Sequence, residues 1–165
     1  AIVSQYRGTY PNIPGLWRIG KQLLFGMMDR TQTGNTYGPL TVSNNALRLP
    51  NGMYLKYPNL RYTNGEFLYF SGRFKGPIRT YGPRLIENII QALARIVITD
   101  QILDIQKLQD LDVVLTVHDE IVCQGSNNKP DETLASIISI MKKAPLWCKE
   151  LPLNAEGNYN TLYIK

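Results

Sequence analysis

Two short apolar runs separated by only two residues place the strongest constraint on how this 165-residue chain can fold. The runs are residues 112–117 (DVVLTV) and 120–124 (EIVCQ). A two-residue connection is the length of a tight β-hairpin, so the runs are predicted to pair as antiparallel strands. The turn holds His118 and Asp119 instead of the Asn-Gly pair that such turns favour. The chain therefore places its one histidine and two adjacent acids, Asp119 and Glu120, where turn stability alone selects other residues.

The segment before this hairpin is predicted to form the longest helix of the chain, over residues 83–108. It begins at Pro83, whose missing N–H costs little in a first turn. On a helical wheel, four polar side chains fall within an arc of about 60°: Arg84, Asn88, Gln91 and Arg95. The opposite side is apolar: Leu85, Ile86, Ile89, Ile90, Leu93, Ile96 and Val97. The polar stripe is either the solvated face of a core helix or a row of hydrogen-bonding groups along an extended polar ligand.

The first half of the chain gives further element signals. Apolar side chains recur at steps of three and four over residues 14–28, which predicts an amphipathic helix. Residues 30–40 are rich in Thr, Gly and Asn and are predicted to be loop. Residues 46–71 are predicted to form a β meander, because Asn-Gly pairs divide short alternating runs. A basic, glycine-containing connection over residues 71–83 then leads to the long helix.

The last part of the chain completes an α+β pattern. Residues 131–143 are predicted to form a helix that ends at Ala144-Pro145, and residues 151–165 a final strand pair. The predicted fold class is α+β, in which an antiparallel sheet carrying the hairpin packs against the long helix and flanking helices. The length favours a single domain.

Composition excludes several classes of protein. The sequence is 44% hydrophobic and 19% charged, and no apolar run approaches the roughly 18 residues of a membrane span. The N-terminus lacks the pattern of a secretory signal peptide, so we expect a soluble, cytoplasmic protein. Cys123 and Cys148 lack metal-ligand spacing and are expected to be reduced thiols without zinc.

The charges are distributed unevenly along the chain. Residues 1–81 hold ten Lys and Arg against two acids, whereas residues 82–165 hold eight against eleven. The basic half also carries eight of the ten tyrosines. Cations mixed with aromatic rings suit contact with nucleic acid, although a solvated basic surface explains the same pattern.

The acids at the hairpin turn offer a specific chemistry. Asp119 and Glu120 supply the hard oxygen ligands that Mg²⁺ prefers, and Mg²⁺ usually takes one or two protein carboxylates together with water and substrate phosphate. His118 is suited to hydrogen-bond a neighbouring phosphate or sugar. The alternative is an ordinary acidic turn without a ligand.

The stretch TVHDEIV resembles motif C of the family A DNA polymerases, the DNA polymerase I group. The preceding YGPRLIENIIQALARIV is similar to the phage members of that family, as are LRLPNGMYLKYPNLR and PLWCKELPLNAEG. YRGTYPNIPGLW resembles the segment that follows the fingers. The resemblance implies a helical segment after the fingers over residues 1–30, the meander over residues 46–71, and a palm with motif C over residues 83–165.

The resemblance also implies roles for individual residues. Asp119 would be one of two aspartates that hold paired Mg²⁺ ions, Glu120 a nearby and less essential carboxylate, and His118 a contact to the primer terminus. Gln91 would face the minor groove of primer-template DNA near the active site, and deoxynucleoside triphosphates would be the other substrate. The same stripe would place two further side chains along the DNA: Arg84 and Asn88.

The sequence also departs from the family pattern. We find neither motif A, an Asp-Tyr-Ser-like strand with the second aspartate, nor motif B, the fingers helix that binds nucleotide phosphates. Ile96 stands where relatives often carry an acid. We therefore expect the C-terminal part of a polymerase palm that is inactive alone and needs a partner segment or chain with both motifs. The alternatives are a noncatalytic DNA-binding module and a plain structural domain.

Overall fold

The computed structural model describes residues 2–126 and 128–162. The fold class is α+β, as predicted, and these residues form four α-helices and three antiparallel sheets. The sequence favours one domain, whereas the chain divides into two compact units, Ala1–Leu93 and Ala94–Lys165. No helix within the described ranges is long and apolar enough to cross a membrane.

The first unit begins with two helices, α1 (Ile2–Thr9) and α2 (Asn12–Met28). The predicted amphipathic helix is confirmed and begins two residues earlier than expected. Pro14 is tolerated because it lies in the first turn, where its missing N–H has no acceptor within the helix. The apolar face of α2 is buried at Leu23, Leu24 and Met27.

Seven strands of the first unit form two separate sheets. One sheet has the order β1 (Thr36–Tyr37), β2 (Leu40–Ser43), β3 (Ala46–Arg48) and β4 (Tyr54–Lys56). The other has the order β5 (Arg61–Thr63), β6 (Glu66–Phe70) and β7 (Pro77–Thr80).

The predicted single meander over residues 46–71 is therefore wrong, although its two hairpins are present. Pro58 has no N–H for a ladder, and Asn59 has a φ of 54°, so the chain leaves the first sheet at this point. The predicted loop over residues 30–40 contains a short 3₁₀ turn, Arg30–Gln32, and β1. The predicted connection over residues 71–83 contains β7, because its alternating residues pair with β6.

The long helix α3 (Gly82–Ile105) confirms the predicted helix and ends three residues earlier. Its apolar face is buried as the wheel predicts at Leu85, Ile89, Ile96 and Val97. Ile90 is an exception, because 57% of this residue is exposed. The polar side chains Arg84, Gln91 and Arg95 are exposed.

A buried tyrosine joins the first sheet to α3. Tyr57 is 2% exposed, and its ring packs edge-on against Tyr69 with 4.9 Å between ring centroids. The Asn88 Nδ2 donates a hydrogen bond to the Tyr57 Oη at 2.8 Å. Burial raises the pKa of Tyr57 above its ordinary value of 10.0, against the smaller opposing effect of the Asn88 hydrogen bond.

The second unit contains the hairpin of β8 (Leu111–Val117) and β9 (Glu120–Gly125), followed by α4 (Pro130–Met141). Both the hairpin and the helix were predicted. The Gln101 side chain of α3 donates to the carbonyl oxygen of Met141 at 2.8 Å, which ties the end of α4 to α3.

The predicted strand pair over residues 151–165 is wrong for residues 151–162, which contain no strand, and residues 163–165 lie outside the described ranges. Pro152 lacks the N–H that a ladder needs. Instead, the Tyr159 hydroxyl donates to Asp131 at 3.0 Å, and Gly157 lies close to Leu134. The tail therefore packs along α4.

Candidate active site

The hairpin turn has the two-residue geometry that the sequence predicts. Val117 pairs with Glu120, so only His118 and Asp119 lie between the strands. His118 has a φ of 55°, in the left-handed region that a tight hairpin turn requires at its first position. Glycine is the usual residue there, and a side chain in this region costs free energy. The turn is thus built with a histidine at a position where folding alone favours glycine.

All three polar side chains at the tip are available to a ligand. His118, Asp119 and Glu120 are exposed. Within residues 2–126 and 128–162, no hydrogen bond or ion pair engages their side chains. Both carboxylates therefore face solvent from a turn whose position is fixed by the paired strands on either side.

The hairpin carries an irregularity four residues before the turn. The register slips between Val113 and Leu115, so Val114 is left without a direct partner. Val114 is 54% exposed and Leu115 is 47% exposed. Bulges of this kind bend a strand and occur often beside active sites, because they re-aim the side chains that follow.

The donor set at the turn fits a magnesium ion better than a zinc ion. Two adjacent carboxylates are the number of protein ligands that Mg²⁺ usually takes. No cluster of three or more His, Cys, Asp or Glu suited to a metal occurs in the described part of the chain. Cys123 and Cys148 are free thiols, as predicted, and burial raises the pKa of Cys123. Raising that pKa keeps the thiol protonated, which disfavours metal binding.

The polar side chains of the stripe on α3 differ in their hydrogen bonds. Arg84 makes no side-chain ion pair within the described residues, and Gln91 donates to Glu87 at 3.3 Å. Asn88 is half-buried and donates to Tyr57, so it anchors the helix to the sheet. A DNA contact by any of these three side chains remains a prediction.

One feature of the first unit was missed by the sequence reasoning. A cavity of about 610 Å³ lies beside α2 and the start of α3, and four cationic and four aromatic side chains are among its lining residues. The excess of cations and tyrosines in residues 1–81 was the feature of the sequence that pointed towards such a cavity. It did not identify the cavity because the lining residues come from distant parts of the sequence.

Comparison with known proteins gives an independent relation. A DNA polymerase of Bacillus phage SP02 is 35% identical to this chain over an alignment of 130 residues, and the match covers 72% of this chain. The chain is related to a phage DNA polymerase. It spans only 19% of the length of that polymerase. No protein-family profile matches the chain, and no solved structure matches it.

The relation to a DNA polymerase bears on the hairpin turn. An exposed acidic turn is common in proteins, whereas polymerases need fixed carboxylates to hold metal ions. A turn that presents two unpaired carboxylates, in a chain related to a DNA polymerase, is therefore the candidate active site.

The left-handed backbone conformation of His118 leads to a testable prediction. Replacement of His118 by glycine is expected to stabilise the hairpin by about 1 kcal/mol, because it removes the left-handed strain. Urea unfolding followed by a probe in β8 or β9 measures the change. His118→Ala is the matched control, since it removes the imidazole and retains the strain. Equal midpoints for the two variants would contradict the prediction.

Proposed function

We propose that this chain is part of a family A DNA-directed DNA polymerase, and that its hairpin turn supplies carboxylates to the metal site of the palm. The proposal is carried by one observation: Asp119 in the two-residue turn and Glu120 at the start of β9 both have exposed side chains that make no hydrogen bond or ion pair with the described residues. The relation to a phage DNA polymerase supports it. So does the resemblance of the turn to motif C.

The residues of the turn have separate roles in this proposal. Asp119 would hold Mg²⁺, Glu120 would be an auxiliary carboxylate beside it, and His118 would donate a hydrogen bond to the primer end. Bound Mg²⁺ would stabilise charge on the attacking 3′ oxygen and on the leaving pyrophosphate. The protein then acts by positioning, because phosphoryl transfer requires little covalent chemistry from side chains.

The second metal-binding aspartate is proposed to come from polymerase residues outside these 165. The sequence contains no Asp-Tyr-Ser-like strand and no recognisable fingers helix. A segment that carries both would therefore be the protein partner, and primer-template DNA and deoxynucleoside triphosphates would be the substrates.

Two exposed side chains of α3 are proposed to contact DNA. Arg84 is suited to a phosphate and Gln91 to the minor-groove edge of a base pair. Asn88 would act differently, because its amide is held by Tyr57. We propose that Asn88 fixes the orientation of α3 and thereby the direction of the other two side chains.

The proposed function is tested with a chimera in which this chain replaces the matching segment of the Bacillus phage SP02 polymerase. We expect the chimera to extend a primer with Mg²⁺ and nucleotides, and the isolated chain to make no product. Extension by the isolated chain would contradict the proposed dependence on a partner. A chimera that binds primer-template DNA without extending it would contradict the catalytic role.

The second candidate is a noncatalytic DNA-binding module. The observation that favours it is the excess of ten cations over two acids in residues 1–81. Such a module would bind DNA with an affinity that falls steeply with salt. Under this alternative, Asp119→Asn would leave DNA binding by the chain within about twofold and would not lower primer extension by the chimera.

A further inference from the structure

A second site in the first unit is independent of the hairpin. Its cavity, here called the cationic cavity, is bordered by α1, α2, the β5–β6 turn and the first residues of α3. Its volume of about 610 Å³ falls within the range of roughly 300–1,000 Å³ that is usual for small-ligand sites. The cavity opens to solvent and lies entirely within one compact unit.

The charge of the lining favours an anion. Arg7, Arg18, Lys21 and Arg79 line the cavity against a single carboxylate, Glu66. The Glu66 carboxylate is 3.1 Å from the Arg79 guanidinium, so this acid is already paired. Arg18 and Lys21, one turn apart on α2, make no ion pair within the described ranges. An anion between them would relieve their mutual repulsion.

The start of α3 adds to this positive potential. Gly82 and Pro83 line the cavity, and the first turn of this 24-residue helix contains no acidic residue. Pro83 has no N–H, so this terminus favours a phosphate through the helix dipole and not through a full set of N–H donors. Positive charge from two elements therefore converges on one opening: two cations of α2 and the start of α3.

The aromatic part of the lining favours a flat ring beside the anion. Tyr62 is 43% exposed, and its ring centroid lies 4.7 Å from that of the buried Phe67 and 5.1 Å from that of Phe25. These contacts hold the Tyr62 ring while part of its surface stays open. Nucleobases stack on such rings without regard to sequence. Trp17 is less available, because the Arg7 guanidinium lies 5.8 Å from its ring centre.

The wall between α2 and α3 is tightly packed, so the cavity is preformed. A Cβ atom on Gly20 would overlap the carbonyl oxygen of Gly82, and a Cβ atom on Gly82 would overlap the carbonyl oxygen of Trp17. The two backbones touch only because both positions are glycine. A preformed site avoids the entropic cost of ordering its walls when a ligand binds.

We propose that the cationic cavity binds a nucleotide unit of single-stranded DNA. The phosphate would lie between Arg18, Lys21 and the start of α3, and the base would stack on Tyr62. An open cavity suits one unit of a passing strand, and a free nucleotide offers the same phosphate and base. The proposal deepens the proposed function by adding a single-strand contact, and it uses no residue of the hairpin.

Fluorescence anisotropy of a labelled oligothymidylate with the full chain tests the proposal. The variant with Arg18→Gln and Lys21→Gln is expected to bind at least about tenfold more weakly. Its matched control combines Lys56→Gln with Arg48→Gln, which removes two exposed cations outside the cavity. The control is expected to bind within about twofold of the unsubstituted chain when both are measured at the same salt concentration.

The aromatic contact is tested by Tyr62→Leu, with Tyr62→Phe and Tyr54→Leu as controls. Tyr62→Leu is expected to weaken binding about fivefold or more, whereas Tyr62→Phe retains the ring and binds normally. Tyr54 is exposed on β4 and does not line the cavity, so its substitution should have little effect. Circular dichroism of each variant identifies any loss of fold.

Competition distinguishes the sources of the ligand. If thymidine monophosphate displaces the oligothymidylate at equal concentration, the cavity binds a free nucleotide and not a strand. This result would overturn the proposal. Equal displacement by inorganic phosphate would reduce the cavity to an anion site and would also overturn it. Equal losses in the two double variants would show a nonspecific basic surface. The binding assay uses the chain alone and requires no primer extension, so failure of the polymerase proposal and failure of this one are separable.

Discussion

Replacement of Asp119 by asparagine is expected to lower primer extension by the chimeric polymerase at least about 10²–10³-fold. The change removes one negative charge and retains nearly the same shape, so the hairpin should fold normally. Asp119 is exposed and makes no hydrogen bond or ion pair with other described residues, which means that its loss leaves no group unpaired. A steady-state assay with Mg²⁺, together with DNA binding in the same buffer, separates catalysis from affinity.

Two other acids of the same hairpin are compared with Asp119. Asp112→Asn removes an exposed acid from β8, at the far end of the same hairpin, and is expected to leave extension within about twofold. Glu120→Gln should give an intermediate loss of about tenfold, since Glu120 is proposed as an auxiliary ligand. A chimera with Asp119→Asn that extends primers normally would remove the turn from the metal site.

The hairpin could be predicted from the sequence because its signals are local. Two short apolar runs and a two-residue spacing fix both the strands and the turn without reference to distant residues. The φ of 55° at His118 could not be predicted in the same way, because a positive φ is uncommon in any residue other than glycine, although histidine adopts it more often than most. It is a cost that appears only in the folded chain.

The division of the sheets could not be predicted, because it depends on one short corner. Hairpin signals at residues 46–56 and 61–70 are each correct, yet the Pro58-Asn59 corner separates them into different sheets. Strand β7 was missed for a related reason. Its four residues become a strand only by pairing with β6, which is a tertiary contact.

The candidate site was predicted in part. The residues of the turn are where the sequence placed them, but the helical wheel gave only the direction of Asn88 and not its partner. That partner, Tyr57, is 31 residues away in the sequence. A helical wheel shows only the side of the helix on which a side chain lies. It does not show that the buried Tyr57 hydroxyl lies beside Asn88 and makes this amide an anchor.

Replacement of Tyr57 by alanine is expected to be the most destabilising change in the first unit. Tyr57 is 2% exposed, packs against Tyr69 and accepts the Asn88 hydrogen bond, so alanine leaves a cavity and an unpaired amide. Aromatic-to-alanine changes in cores cost about 3–5 kcal/mol. Since domains have about 5–15 kcal/mol of stability in total, the first unit is expected to lose cooperative unfolding near room temperature.

Tyr57→Phe separates the ring from its hydroxyl group. Loss of one hydrogen bond should cost about 1 kcal/mol, and the effect should vanish when Asn88→Ala is already present, because both changes remove the same bond.

The raised pKa of Tyr57 also means that the tyrosine hydroxyl keeps its proton in the folded state at a pH where the unfolded state has lost it. This stability is present below pH 10 and is lost as the pH rises towards the folded pKa, so Tyr57→Phe should flatten the alkaline decline. Additive effects of the two substitutions would show that the hydroxyl does not anchor α3, and an unchanged decline above pH 10 would show that burial of this hydroxyl does not cause the decline.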